Sequence, residues 1–411
     1  MRDAITLQAL DEALETAVIG SPMPSGRNYL GIEVERLILH RETQEAASLW
    51  FCRQLLADLA EDIGGKITWD SDVIQRVDGE GFSFTMEPGG QLELATDPRS
   101  SVGELDPTMD KIRRLVNGHL ADTDYTLDPR AHTPVSKASE MELLPRSRYR
   151  IMNKTMTPRG PLTPNMMRAT AGFQLTYDVT DRVDAGRKLA LLNRLAPVMA
   201  AISANSRTIE GRDSGFASYR HYVWLNTDRD RVGIPEGGLH AETAVDGYIR
   251  FARKAATLFL KRDGELIEAP QRSFEQLVAE GEITPEDLDL HLSSLFPFVR
   301  LRNYLEVRYL DAVSWELARS MLALLSGLVY CPKATAAAQI LSADLVPVDR
   351  AGLDHIHLQA AKHGLDAQTP AGGSLRDLAR LLVEYSSATL GGENCGWADP
   401  DDLEVVAERI G

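Results

Sequence analysis

The sequence of 411 residues predicts an α+β fold: a curved, mainly antiparallel sheet whose polar face forms a funnel, with helices on the outer face. Two observations carry this expectation. Short runs of alternating apolar and polar residues are separated by single amphipathic helical stretches, the pattern of a sheet covered on one side. Several alternating runs also place Glu, Gln or Arg at i and i+2, positions that share one face of a strand.

Taken in chain order, strands are expected at 29–39, 66–70, 73–77, 82–86, 91–95, 171–179, 217–225 and 303–309. Helical periodicity marks 4–18, 43–62, 106–121, 184–203, 241–260, 314–330 and 374–390. Asp106 before Pro107 suits an N-cap and first turn, and Ser374 suits another N-cap. Asp128 to Arg148 reads as a long loop, and 341–373 as a second irregular region. No internal repeat or flexible linker divides the chain. Residues 1–331 are expected to form one catalytic unit, with 332–411 a helical C-terminal part packed on it.

A hydrophobic share of 44% and a charged share of 25% are ordinary globular values. The net charge of -16 argues against a nucleic-acid or anionic-membrane surface, since both favour clustered Lys and Arg. Cys52, Cys331 and Cys395 form neither a disulfide framework nor a CxxC pair. The N-terminus lacks a signal-peptide core, and the longest apolar run, Met321 to Cys331, is too short for a bilayer. The expectation is a soluble cytoplasmic protein, monomer or homodimer.

The chemistry gathers on five expected strands. Glu33 and Glu35 stand in "GIEVERL", and Gln91 and Glu93 in "GGQLELA". Gln174, Thr176 and Asp178 stand in "GFQLTYDV", Ser218 and Arg220 in "ASYRHYVW", and Glu306 with Arg308 in "NYLEVRYL". Glu87 precedes a Pro-Gly-Gly turn signal. Each strand alone reads as a half-exposed strand with a solvated face. Together they lack lysine, and point instead to a polar cavity. Glu33, Glu35, Glu87, Glu93 and Glu306 cannot all stay ionised there unaided, because close like charges raise one another's pKa. Two or three Mg²⁺ ions, for which Mn²⁺ can substitute, would suit such carboxylates together with a triphosphate. The arginines suit phosphate and carboxylate groups. A Walker A loop and the kinase motifs are absent from the sequence, and the lone Gly-x-Gly of "DGEGFSF" reads as a turn. His355-x-His357 reads as incidental. His221 is expected on the face opposite Arg220, in a structural role.

These motifs resemble the glutamate–cysteine ligases of the plant and proteobacterial type, with their actinobacterial relatives. The resemblance covers most of 29–331: "GIEVE", "MEPGGQLEL", "RSRYRIM" with "MMRAT", "ANSRTIEGRDSGFASYRHYVW" with "TDRDR", and "HLSSLFPFVRLRNYLEVRYLDA". It implies a glutamine synthetase-like fold. It also implies ATP-dependent conversion of L-glutamate to an acyl phosphate, followed by attack of the L-cysteine amine. By motif, Glu33, Glu35, Glu87, Glu93 and Glu306 resemble the metal carboxylates. Gln174, Thr176 and Arg308 resemble nucleotide-side residues. Arg220, Ser218, Met166, Arg168 and Tyr149 resemble the substrate side, with Arg308, Arg220 and Glu306 central to catalysis. Thr176 stands where plant members usually carry Asn. That departure leaves room for a second reading, a carboxylate–amine ligase using another amine, including one on a peptide or carrier. A third reading, a binding protein without catalysis, has no use for five buried acids.

Overall fold

The computed structural model describes residues 5–21, 28–281, 283–347, 349–392 and 395–411. Ala4, at the start of the expected 4–18 helix, lies outside them; within them that helix runs Leu10–Ile19. Nine strands build one sheet. They are β1 (Leu30–His40), β2 (Lys66–Asp70), β3 (Val73–Asp78), β4 (Phe82–Met86), β5 (Leu92–Thr96), β6 (Tyr125–Asp128), β7 (Gly172–Asp178), β8 (Val299–Leu301) and β9 (Tyr304–Asp311). Their order is β8-β9-β7-β1-β5-β4-β3-β2, with β6 also on β1, and every pairing is antiparallel. The sheet is open, ending at β8 and β2.

Alternation decides which face is which. In β1 Ile32 and Val34 are buried in the core, while Glu33 and Glu35 point to the other side. The apolar side rests on the helix Arg182–Ser203, which is buried along nearly its whole length. That helix needs no polar stripe because it is covered all round. The helix Leu49–Ile63 packs on β3 and β4, its N-terminus closed by Ser48 Oγ accepting from Phe51 N–H at 3.3 Å.

The expected strands at 29–39, 66–70, 73–77, 82–86, 91–95, 171–179 and 303–309 all form, within two residues of those limits. The eighth does not. Residues 217–225 form the helix Tyr219–Leu225, capped by Ser218 Oγ accepting from His221 N–H at 3.0 Å. The expected 241–260 helix ends at Lys254, and the chain turns into the strand Phe259–Arg262. The region 341–373 holds a full helix, Arg350–His363. Asp106 is the first helical residue, after an N-cap at Leu105; its carboxylate instead takes two bonds from Arg319, at 2.7 and 2.9 Å.

The C-terminal helix Leu375–Ser387 opens on a capping box between Ser374 and Asp377, as its sequence suggests. It packs on the helices Trp315–Tyr330 and Arg182–Ser203. All three cysteines are buried and free. Among the described residues no single helix is long and apolar enough to cross a membrane.

Candidate active site

Register brings the polar residues together. Glu33 stands opposite Gln174, Glu35 opposite Glu93, Glu93 opposite Thr85, and Glu306 opposite both Thr176 and Arg300. The shared face walls a cavity of about 310 Å³. Glu33, Glu35, Glu87, Glu93, Gln174 and Arg308 line it from the sheet side. Arg148, Tyr149, Met166, Arg220, Trp224 and Arg300 also line it. A larger hollow of about 650 Å³ lies beside Trp50 and Trp69, but its walls are largely apolar and gather no such cluster.

Glu87 reaches the cavity through a tight turn. Gly90 N–H bonds the Glu87 carbonyl at 2.9 Å with Gly90 at φ +88, a conformation that favours glycine. At Gly89 a Cβ would sit 2.1 Å from the Arg168 carbonyl oxygen, so the turn can press against that chain only without a side chain. The buried Gln91 amide ties it down, accepting from Gly89 N–H at 2.9 Å and donating to the Thr170 carbonyl at 2.8 Å.

The carboxylates fall into two environments. Glu35 accepts from Gly172 N–H at 2.6 Å and from the Gln174 amide at 3.2 Å. Glu93 accepts from Thr85 Oγ1 at 2.5 Å. Among the described residues no hydrogen bond reaches the side chain of Glu33 or Glu87. Burial, reinforced by the charges of Glu93 and Glu306, pushes Glu33 up to about 8. Burial with Glu87 and Glu35 nearby pushes Glu93 up to about 8, and burial with Glu35 raises Glu87 to about 7. Glu306 is the reverse case. Burial raises it, but Arg300, bonding at 2.7 and 3.1 Å, and Arg308 outweigh that and hold it below the usual carboxylate value.

Arg220 enters from the helix Tyr219–Leu225. Its Nη1 donates to the Leu310 carbonyl at 2.9 Å and its Nη2 to the Arg308 carbonyl at 3.3 Å. A Cβ at Gly172 would lie 2.3 Å from Arg220 Nη2, so glycine there makes room for the guanidinium. Arg148 is anchored to Ser293, at 2.9 Å to Oγ and 2.7 Å to the carbonyl, with no carboxylate partner among the described residues. The indole N–H of Trp224 is buried without a hydrogen-bond partner among the described residues.

Glu33, Glu35, Glu87, Glu93, Gln174, Arg220, Arg308, Tyr149 and Met166 do converge on one cavity. Glu306 lies beneath the wall, clamped between Arg300 and Arg308. Thr176, Ser218 and Arg168 lie outside the wall. Thr176 sits over Gly31, where a Cβ would come within 2.6 Å of its Oγ1. Ser218, besides capping its helix, gives its hydroxyl to Asp311 at 2.8 Å. Arg168 bonds Asn153 and the Ala138 carbonyl, at 3.2 and 3.4 Å. Asp178 accepts from Tyr29 N–H at 2.7 Å, a structural bond. His221, expected in a structural role, meets His357 of the pair read as incidental at 3.2 Å. Burial, then the adjoining Arg220 charge, takes His221 down to about 3, so the pair is a neutral packing contact. Sequence reasoning missed Arg148, Arg300 and Trp224, although "RSRYRIM" and "RLRNYLEVRYL" contain the first two.

Comparison with known proteins gives the family and supports the fold. Residues 29–388 match the family model described as Glutamate-cysteine ligase family 2. The chloroplastic glutamate–cysteine ligase of Brassica juncea is 28% identical over 374 residues, covering 86% of this chain and 70% of that protein. Chloroplastic glutamate–cysteine ligase B of Oryza sativa subsp. japonica is 27% identical, covering 96% and 80%. Among solved structures, the fold is similar to a glutamate–cysteine ligase from Francisella tularensis in complex with AMP, at TM-score 0.52 and 14% identity over 95% of this chain and 82% of that one. A bifunctional glutathione synthetase from Pasteurella multocida aligns at TM-score 0.51 and 12% identity, over 98% of this chain and 48% of that one. With the family model spanning most of its length, the chain belongs to glutamate-cysteine ligase family 2.

Proposed function

We propose that the protein is an ATP-dependent ligase that activates the side-chain carboxylate of L-glutamate as an acyl phosphate and joins it to the amine of L-cysteine. The products are γ-glutamylcysteine, ADP and phosphate. The observation that carries this reading is the cavity wall, in which four carboxylates face Arg148, Arg220, Arg300 and Arg308. Such a wall offers separate places for cations and for the anionic groups of two substrates.

The donor set suits Mg²⁺. Among the described residues Glu33 and Glu87 face the cavity without hydrogen-bond partners, and burial with neighbouring carboxylates raises Glu33, Glu87 and Glu93. Among the described residues no three acidic side chains converge to chelate an ion alone. Mg²⁺ is commonly held by one or two carboxylates, with substrate phosphates and water completing the octahedron. The residues fit, with Glu33, Glu35, Glu87 and Glu93 as the candidates. When bound there, the ion supplies charge neutralisation for the triphosphate.

The chain's own groups do the rest. Arg308, fixed by Glu306 and by the Gln174 carbonyl oxygen, is a rigid fork suited to a phosphoryl group in transfer. Arg220, bonded to the Arg308 carbonyl, takes a substrate carboxylate. Tyr149, held by its hydroxyl to the Met86 carbonyl at 3.3 Å, and Met166 close off water around the reacting carbonyl. Because the phosphorylated glutamate is itself the activated acyl donor, no nucleophilic side chain is required.

The test is ADP release with glutamate and a panel of amines, with and without EDTA. Cysteine-dependent turnover that EDTA abolishes and Mg²⁺ or Mn²⁺ restores is expected. Turnover with a different amine alone would replace the acceptor and keep the chemistry. ATP-dependent ligation at full rate in EDTA would sink the metal assignment.

A further inference from the structure

A second cavity of about 410 Å³ shares no lining residue with the first. It lies where the segments after β6 and after the helix Arg182–Ser203 meet three C-terminal segments: 363–366, the helix Leu375–Ser387 and the helix Glu404–Ile410. In a chain of net charge -16, its walls carry Arg130, Arg207, Arg376 and Arg409 against one carboxylate, Asp366. Arg130 and Arg207 are paired with Asp128 and Asp213, which stand outside the wall. Arg376 takes Asp366 at 3.0 Å. Arg409 meets only the carbonyls of Ile202 and Ala204, at 3.3 and 2.8 Å, with no carboxylate partner among the described residues. The hollow therefore keeps a surplus of positive charge.

We infer that this cavity is a second ligand site, for a small phosphate-bearing anion. The guanidinium fork matches phosphate oxygens, and the volume suits a small metabolite. Among the described residues no Phe, Tyr or Trp lines the walls, so none of them is placed to stack a nucleobase. That favours a compact phosphate over a nucleotide. The site also touches the first cavity through one residue. Ser206 lines the basic cavity, donates its hydroxyl to Asp311 at 2.7 Å, and accepts the backbone N–H of Arg220 at 2.9 Å. Occupancy thus bears on Arg220. This coupling rests on the proposed function, whereas the binding itself does not.

The experiment titrates the full chain, free of nucleotide and metal, with inorganic phosphate and with glycerol 3-phosphate by calorimetry, using chloride as the ionic-strength control. The variants are Arg207→Glu, the pair Arg207→Ala with Arg409→Ala, and Arg308→Ala from the first cavity. Arg409 holds helix-end carbonyls, so the pair can fail to fold. Arg207 has a side chain 70% exposed and keeps the test decisive. A phosphate site that survives Arg308→Ala and is lost in the folded Arg207→Glu is expected. In the wild type, phosphate should shift KM for glutamate by at least about fivefold, the low end of ordinary coupling between sites, and that shift should vanish in Arg207→Glu. The tighter of the two probes tells whether free or organic phosphate is the natural occupant. Binding unchanged in Arg207→Glu, or lost only in Arg308→Ala, overturns the site. Binding that follows these expectations in a chain with no ligase activity leaves the site intact and removes only its coupling.

Discussion

The two sides of the active cavity treat the same residue type in opposite ways. On the β8–β9 side, Glu306 is enclosed by Arg300 and Arg308 and stays ionised below its usual pKa. On the β1–β5 side, Glu33 and Glu93 form no ion pair among the described residues, and burial with neighbouring carboxylates pushes both up to about 8. A glutamate on a polar strand face is therefore not one role. Glu306 spends its charge inside the protein, fixing two arginines, while Glu33, Glu87 and Glu93 keep theirs for something that arrives.

The largest effect should come from breaking the satisfied side. Glu306→Gln leaves two guanidiniums without their counter-charge, which costs about 3–5 kcal/mol of folding stability for a buried pair losing one partner. Denaturant unfolding of the metal-free protein measures it. Glu93→Gln removes a charge that the empty cavity does not welcome, so it should leave that stability unchanged or raise it. Both variants should lose at least about a hundredfold in turnover, equal to about 2.7 kcal/mol. Equal destabilisation by the two substitutions would erase the distinction.

A middle-sized effect separates substrates. Arg220→Lys keeps a positive charge but not the planar fork, so glutamate binding should weaken by about 2–3 kcal/mol, the scale of a charged hydrogen-bonded pair. ATP affinity should change far less, because Mg²⁺ and the side chains of Arg300 and Arg308 hold the nucleotide in this reading. Steady-state kinetics with each substrate varied in turn reads this. Loss of ATP affinity with glutamate untouched would move Arg220 to the nucleotide side.

How far the sequence could lead is visible in the same residues. Glu33, Glu35, Glu93, Gln174 and Arg308 were legible because alternation fixes a strand's faces without knowledge of its neighbours. Which carboxylate is satisfied was not legible, because the Arg300–Glu306 pair depends on a hairpin register. "SYRHYVWL" alternates like a strand, yet Ser218 nucleates only two helical turns, too few for a 3.6 period to declare itself. The helix Arg350–His363 hid for another reason. Its buried face uses Leu353, Ile356, His357, Ala360 and Ala361, so small and polar residues blur the apolar stripe.

The smallest effect tests the contrast through protons. Glu33, Glu87 and Glu93 have folded pKa values above the ordinary 4.5, so between that value and about 8 the folded state holds protons that the unfolded state has released. Their contribution is full below 4.5 and is lost as pH rises through the folded values. Glu306, held low, has the opposite sign: its contribution is present above 4.5 and disappears only in acid. Metal-free protein should therefore melt at a lower temperature near pH 8 than near pH 5.5. Each group adds at most about 1.4 kcal/mol per pH unit, and together they add less than the sum, because neighbouring sites titrate as a set. Glu33→Gln and Glu93→Gln should each flatten that decline, and Mg²⁺ with ATP should cancel most of it by keeping the carboxylates ionised. Thermal melts in EDTA across this range supply the measurement. A melting temperature that rises toward pH 8 in wild type would mean the β1–β5 carboxylates are already satisfied within the chain, and the two sides of the cavity would no longer differ.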